Sequence, residues 1–171
     1  MKKNLLAVSA LALAVMSGSA MAANGEVQFL GVVTDVTCDL IPETGGAVNN
    51  LVQLGTVAKN TAGTAVDFTL KADGNQAGCQ GLTGKATIGW AGPFSTTGLK
   101  AQSGLATDAW TKISTVNADT TAVQDITSSK LSTQFDATLL TSDGAKFKAQ
   151  LNGGAIVGDY QSAAAFVVAY N

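Results

Sequence analysis

Two thiols and no imidazole bound the chemistry open to this chain. Cys38 and Cys79 are its only cysteines, and it contains neither histidine nor arginine. Histidine is the commonest general base and a frequent zinc partner of cysteine, so enzymes built on it lack their central group and two thiols alone make a poor zinc site. An even cysteine count in an exported chain reads as a disulfide in preference to a metal site or a nucleophile. That bridge would close a loop of about forty residues, with a stabilisation of roughly 4 kcal/mol before native strain is subtracted. Once both thiols are oxidised, thiol nucleophiles are excluded as well.

The remaining polar motifs are weak. Asp119 and Asp125 could be imagined as a glycosidase pair, but spacing alone does not make one, and both lie in a polar stretch that reads as solvated surface. Asp73-Gly74-Asn75 begins like a calcium loop, yet the alternating acidic ligands and closing glutamate do not follow, so it reads as a turn. No glycine-rich stretch matches the phosphate-binding G-x-x-x-x-G-K-[ST] element. The expectation is a non-enzyme with no cofactor and no metal.

The chain opens on Met1-Lys2-Lys3, runs through apolar residues 5–16 and reaches small residues at Ala20-Met21-Ala22. This is the pattern of a secretory signal peptide, cut after Ala22. Its apolar core of about a dozen residues is shorter than the roughly 20 needed to span a bilayer as a helix. Export of residues 23–171 leaves eight lysines against twelve Asp and Glu, a net charge of −4. That balance argues against nucleic-acid partners. The 149 remaining residues fit one domain with its own core.

Apolar residues recur at every second position, the signature of strands. The predicted strands are 27–36, 51–57, 66–72, 85–90, 131–140, 146–151 and 164–170, separated by turn formers at Thr44-Gly45-Gly46, Asp73-Gly74-Asn75, Ser142-Asp143-Gly144 and Asn152-Gly153-Gly154. Several short strands so punctuated imply an all-β sandwich, with barrel closure as the other possibility. Residues 98–129 read as loops with short strands, anchored by Trp110, Ile113, Val116, Val123 and Ile126. Trp90 alternates with Ala86 and Ile88 and reads as core; Trp110 reads as core or surface.

Both ends of the exported chain are patterned. Extended, residues 24–38 place Val27, Phe29, Gly31 and Val33 on one face, and the last strand places Phe166, Val168 and Tyr170 on one face with Asn171 after it. The sequence resembles the type 1-like fimbrial subunits assembled by the chaperone–usher route. The resemblance covers essentially the whole precursor. It rests on the alternating Val-x-Phe-x-Gly-x-Val run before Cys38, Val52-Gln53-Leu54-Gly55, the cysteine spacing, Gly158 as fourteenth residue from the end, and the final Phe-x-Val-x-Tyr with Tyr170 penultimate.

The resemblance implies an incomplete immunoglobulin-like β-sandwich lacking its seventh strand, completed by donor-strand exchange. Residues 1–22 are then the signal peptide, 23–36 the N-terminal donor-strand extension and 37–171 the pilin domain. Val27, Phe29 and Val33 would enter a neighbour's groove, with Gly31 where that groove is too shallow for a side chain. Phe166, Val168, Tyr170 and Asn171 would face a periplasmic chaperone that anchors the terminal carboxylate, together with Gly158. The implied partners are neighbouring pilin subunits, that chaperone and an outer-membrane usher, with a host receptor open. The implied location is a fimbrium on the cell surface. Burying the three donor side chains would contribute roughly 5 to 9 kcal/mol, at about 1.5 to 3 each. The chain has no room for the extra lectin domain of a two-domain tip adhesin, which favours a major shaft subunit. The rival reading is a secreted monomeric β-sandwich that binds a host or carbohydrate ligand, with residues 27–33 pairing inside their own domain.

Overall fold

The computed structural model describes residues 38–171, together with Gly31 and Val33. Nine strands and two short 3-10 turns follow in order: β1 (Leu40–Thr44), β2 (Ala47–Val48), β3 (Val66–Ala72), a turn at Ala77–Cys79, β4 (Lys85–Ala91), β5 (Leu99–Lys100), β6 (Trp110–Thr115), β7 (Ser132–Asp136), a turn at Ala137–Leu139, β8 (Ala145–Asn152) and β9 (Ala165–Tyr170). They form two antiparallel sheets, one ordered β2-β1-β3-β8-β6-β5 and the other β7-β4-β9. The sheets do not close on each other, so the expected sandwich is the architecture and the barrel is not.

Alternation assigns the faces. Phe68, Leu70 and Ala72 of β3, Ala86, Ile88 and Trp90 of β4, and Ala145, Phe147, Ala149 and Leu151 of β8 turn inward and are buried. The residues between them point out, as a period of two requires. Phe147 is the centre of the core. Its ring lies 5.3 Å from each of Phe68, Trp90 and Phe135, stacked on the first and edge-on to the other two. These contacts tie the large sheet (β3, β8) to the small one (β4, β7), with Trp90 in the core as expected.

Three sequence expectations need correction. Residues 51–57 alternate only as far as Leu54, with Val52 and Leu54 half-buried, then shift at Gly55 (φ 73°) so that Val57 is the next half-buried residue, and they join no ladder and form no strand. The predicted strand 131–140 stops at Asp136, whose carboxylate accepts from the Thr138 backbone N–H at 3.0 Å and its hydroxyl at 2.7 Å, capping the turn Ala137–Leu139. Residues 98–129 are loops with two short strands, β5 and β6, as expected, and the inward positions of β6, Thr111, Ile113 and Thr115, are mostly polar. Val116 and Val123 are exposed, whereas Ile113 and Ile126 are buried. The hairpin β1–β2 also escaped notice. Its two-residue turn at Gly45 and Gly46 has φ of 63° and 81°, the mirror-image turn that suits right-twisted strands.

Candidate assembly cleft

The last strand, β9, pairs only with β4 among the described residues, so its other edge carries unpaired backbone groups. Beside the start of that strand is a gap whose lining includes Ala164 and Phe166 together with Leu51, Val52 and Leu54 of the extended segment 51–59. The gap is one continuous cleft in two parts. The wider part, of about 880 Å³, lies between residues 51–59 and 153–162, over Ala106, Ala109 and Leu151. The narrower, of about 260 Å³, continues over Phe68, Leu70, Trp90, Leu99, Ile113 and Ala149 and is bounded by Phe166. Leu51, Val52, Leu54, Tyr160 and Ser162 border both parts. The floor is thus the inner face of the sandwich itself, open at its seam. The Trp90 indole N–H, buried beside this floor, has no hydrogen-bond partner.

Each wall is held in a different way. Segment 51–59 is fixed at its ends: the Leu51 N–H donates to Asn49 Oδ1 at 2.9 Å, and beyond residue 59 the Gly63 N–H donates to the Leu151 carbonyl at 2.8 Å. The opposite wall, 153–163, forms no named strand and is fastened by backbone bonds, among them the reciprocal pair between Gln161 and Ser103, and by side chains. Asp108 accepts from the Ala155 N–H at 2.7 Å and the Ile156 N–H at 3.3 Å, the Tyr160 hydroxyl donates to the Leu99 carbonyl at 2.9 Å, and Gln102 Oε1 accepts from the Ala163 N–H at 2.6 Å. Gly158 sits in this wall with φ of +149°. A Cβ there would collide with Leu105 and stand 3.0 Å from the Ala106 nitrogen, so only glycine fits without strain. None of the side-chain clamps was legible in sequence, because each joins a side chain to backbone about fifty or more residues away.

The arrangement combines an apolar floor with a strand edge that has no ladder partner among the described residues. Strand edges recruit further strands through their free N–H and C=O groups. The carboxylates considered for catalysis are engaged separately: Asp119 with Lys85 at 2.6 Å, and Asp125 with Lys112 at 3.1 Å and the Ser114 hydroxyl at 2.7 Å. No three His, Cys, Asp or Glu side chains gather as a metal site among the described residues.

No protein-family model matches the chain. The F107 fimbrial protein of Escherichia coli is 43% identical over 169 residues, covering 98% of this chain and 99% of that protein. The chain belongs to the fimbrial proteins. The K99 fimbrial protein of Escherichia coli is 31% identical over 185 residues, with 99% of each chain covered. A type-1 fimbrial protein subunit of Serratia marcescens is 34% identical over 115 residues, 56% of this chain and 62% of that protein.

In this fimbrial protein Cys38 and Cys79 form the expected disulfide, 41 residues apart. Phe166, Val168 and Tyr170 share one face of β9, half-buried and packed against the core, opposite Trp90, Ile88 and Ala86 in register. Asn171 exchanges backbone hydrogen bonds with Lys85, at 2.9 and 3.2 Å. Gly158 lies apart from these, at the wide end of the cleft. The Tyr170 hydroxyl donates to the Cys38 carbonyl at 2.8 Å, and burial, with the Asp39 charge adding, pushes its pKa up to about 12. Of the predicted donor residues, Gly31 and Val33 are exposed, while Val27 and Phe29 lie outside the described residues, as does the expected signal peptide.

Proposed function

We propose that this chain is a structural subunit of a bacterial surface fimbria and that it polymerises by donating residues 23–36 to the cleft of the next subunit. The observation that carries this reading is the open cleft between β9 and residues 51–59, floored by Phe68, Leu70, Trp90 and Ile113. Such a seam exposes apolar side chains and unpaired backbone groups together, and a strand carrying Val27, Phe29 and Val33 on one face satisfies both needs. A contact in which one subunit gives a strand and the next receives it is heterologous and does not close on itself, so it grows a filament.

On this reading a signal peptide of residues 1–22 directs export, and a periplasmic chaperone covers the cleft and the Phe166–Val168–Tyr170 edge until an outer-membrane usher exchanges it for a neighbour's extension. A shaft position fits this reading, because a subunit that gives one strand and receives another sits between two neighbours.

The test is to express the exported chain with and without residues 23–36, with and without a fimbrial chaperone, and to look for heat-resistant multimers. Multimers that need the extension, from subunits that need the chaperone, are expected. A well-folded monomer indifferent to both would instead support a secreted binding domain.

A further inference from the structure

We propose that the Tyr170 hydroxyl orients the root of the N-terminal extension, by holding the Cys38 backbone carbonyl against the end of β9. The inference rests on the strand donation argued above, and concerns the direction in which the donor leaves its own subunit.

The extension joins the domain at Cys38, which is 2% exposed. Two attachments converge there. The disulfide holds the Cys38 side chain to Cys79 at the end of the turn Ala77–Cys79. The second is the hydrogen bond from Tyr170 to the Cys38 carbonyl, spanning 132 residues of sequence. A side-chain tether by itself leaves the adjoining peptide free to turn about φ and ψ. The Cys38 carbonyl lies in the planar 38–39 peptide unit, so the hydrogen bond holds the carbonyl carbon as the disulfide holds Cβ, and with both fixed the tetrahedral Cα leaves one direction for the backbone nitrogen through which the extension departs.

The donor of this bond is itself well anchored. Tyr170 opposes Ala86 in the β4–β9 ladder, and the reciprocal Asn171–Lys85 hydrogen bonds hold the strand beyond it. Its ring packs partly against the core. One side chain therefore stands on the strand that borders a subunit's acceptor cleft and also holds the start of the strand that the subunit gives away. The angle between receiving edge and donated strand is set at this point. In a head-to-tail polymer that angle recurs at every junction, so the bond bears on fibre stiffness.

The decisive variant is Tyr170→Phe, which keeps the ring and removes only the hydroxyl. It is made in the exported chain with and without residues 23–36. Backbone amide exchange at residues 38–40 is expected to quicken by roughly two- to tenfold, the range set by losing one hydrogen bond, with amides of β4 and β7 unchanged. Fibres should still form in a manner dependent on residues 23–36, but with a shorter persistence length by electron microscopy. Unaltered exchange at 38–40 and fibres as stiff as the parent would overturn the inference while leaving strand donation intact. Parent multimers that form without residues 23–36 would overturn strand donation, and the proposed role in fibre geometry with it; the exchange measurement would then still report whether Tyr170 holds the root. Should the Phe variant fail to fold, 3-fluorotyrosine at position 170 retains the hydroxyl as a stronger donor. It should slow exchange at 38–40, and an absence of change would count against the role.

Discussion

The Asp108 carboxylate accepts the backbone N–H of Ala155 at 2.7 Å, 47 residues away, and so pins the irregular wall of the cleft to the segment that leads into β6. Its carboxylate also lies where a side chain at Gly154 would have to go. Replacement by alanine leaves two backbone N–H groups of the wall without their acceptor. Asp108→Ala is expected to lower stability by about 1 kcal/mol, less than the roughly 1.5–3 kcal/mol of a buried charged acceptor because Asp108 is exposed. Urea denaturation measures the loss, and faster amide exchange confined to Ala155 and Ile156 locates it. Protection there equal to the parent's would show that the wall does not depend on Asp108.

Phe147 is fully buried and touches aromatic rings from both sheets. Truncation removes the contact that joins them and leaves a cavity between Phe68, Trp90 and Phe135. Phe147→Ala should cost roughly 3–5 kcal/mol, enough to abolish recovery of soluble protein. A variant with a near-parental melting temperature would mean that the sheets are held together elsewhere.

Tyr170 supplies a pH dependence. Its pKa is raised from 10.0 to about 12, with burial as the larger cause, so the fold favours the protonated phenol. A group with a raised folded-state pKa contributes stability that is complete below the unfolded pKa and is lost as pH rises through the folded one. Stability should therefore fall between about pH 10 and pH 12. Tyr160, also raised by burial, adds to the same trend. Tyr170→Phe should flatten the slope in that window, and denaturation profiles of parent and variant at pH 9, 10.5 and 12 would reveal it. Parallel profiles would argue that the phenol ionises as freely in the fold as out of it.

Gly31 separates folding from assembly. Among the described residues a Cβ at this position would meet nothing within 4 Å, so a large side chain there is expected to leave the folded domain undisturbed. If residues 23–36 enter a neighbour's cleft with Gly31 over its shallow part, Gly31→Trp should abolish heat-resistant multimers while the melting temperature and the disulfide stay as in the parent. Normal multimer yield from this variant would remove Gly31 from the donor strand.

Much of this fimbrial protein was determined by its sequence. The charge balance, the paired cysteines and the alternation in 66–72, 85–90, 146–151 and 164–170 established an all-β chain with a disulfide and assigned the inward residues correctly. They could do so because the side-chain period of a strand is two and burial selects one face, which makes the pattern a local property. The same reasoning erred where burial and hydrogen bonding part company. Residues 51–54 alternate because they lie against the core, but a strand also needs a ladder partner, and nothing local in a sequence specifies one. The place of β6 within 98–129 was hidden for the converse reason, its buried threonines looking polar while their neighbours across the sheet make the position central. Only the tertiary structure decided that β9 has a single ladder partner among the described residues, that a cleft lies beside it, that Asp108, Gln102 and Tyr160 hold its wall, and that Tyr170 meets Cys38. Each of these depends on which distant segments meet in the folded chain, and such meetings are fixed by packing across the whole sandwich rather than by any window of residues.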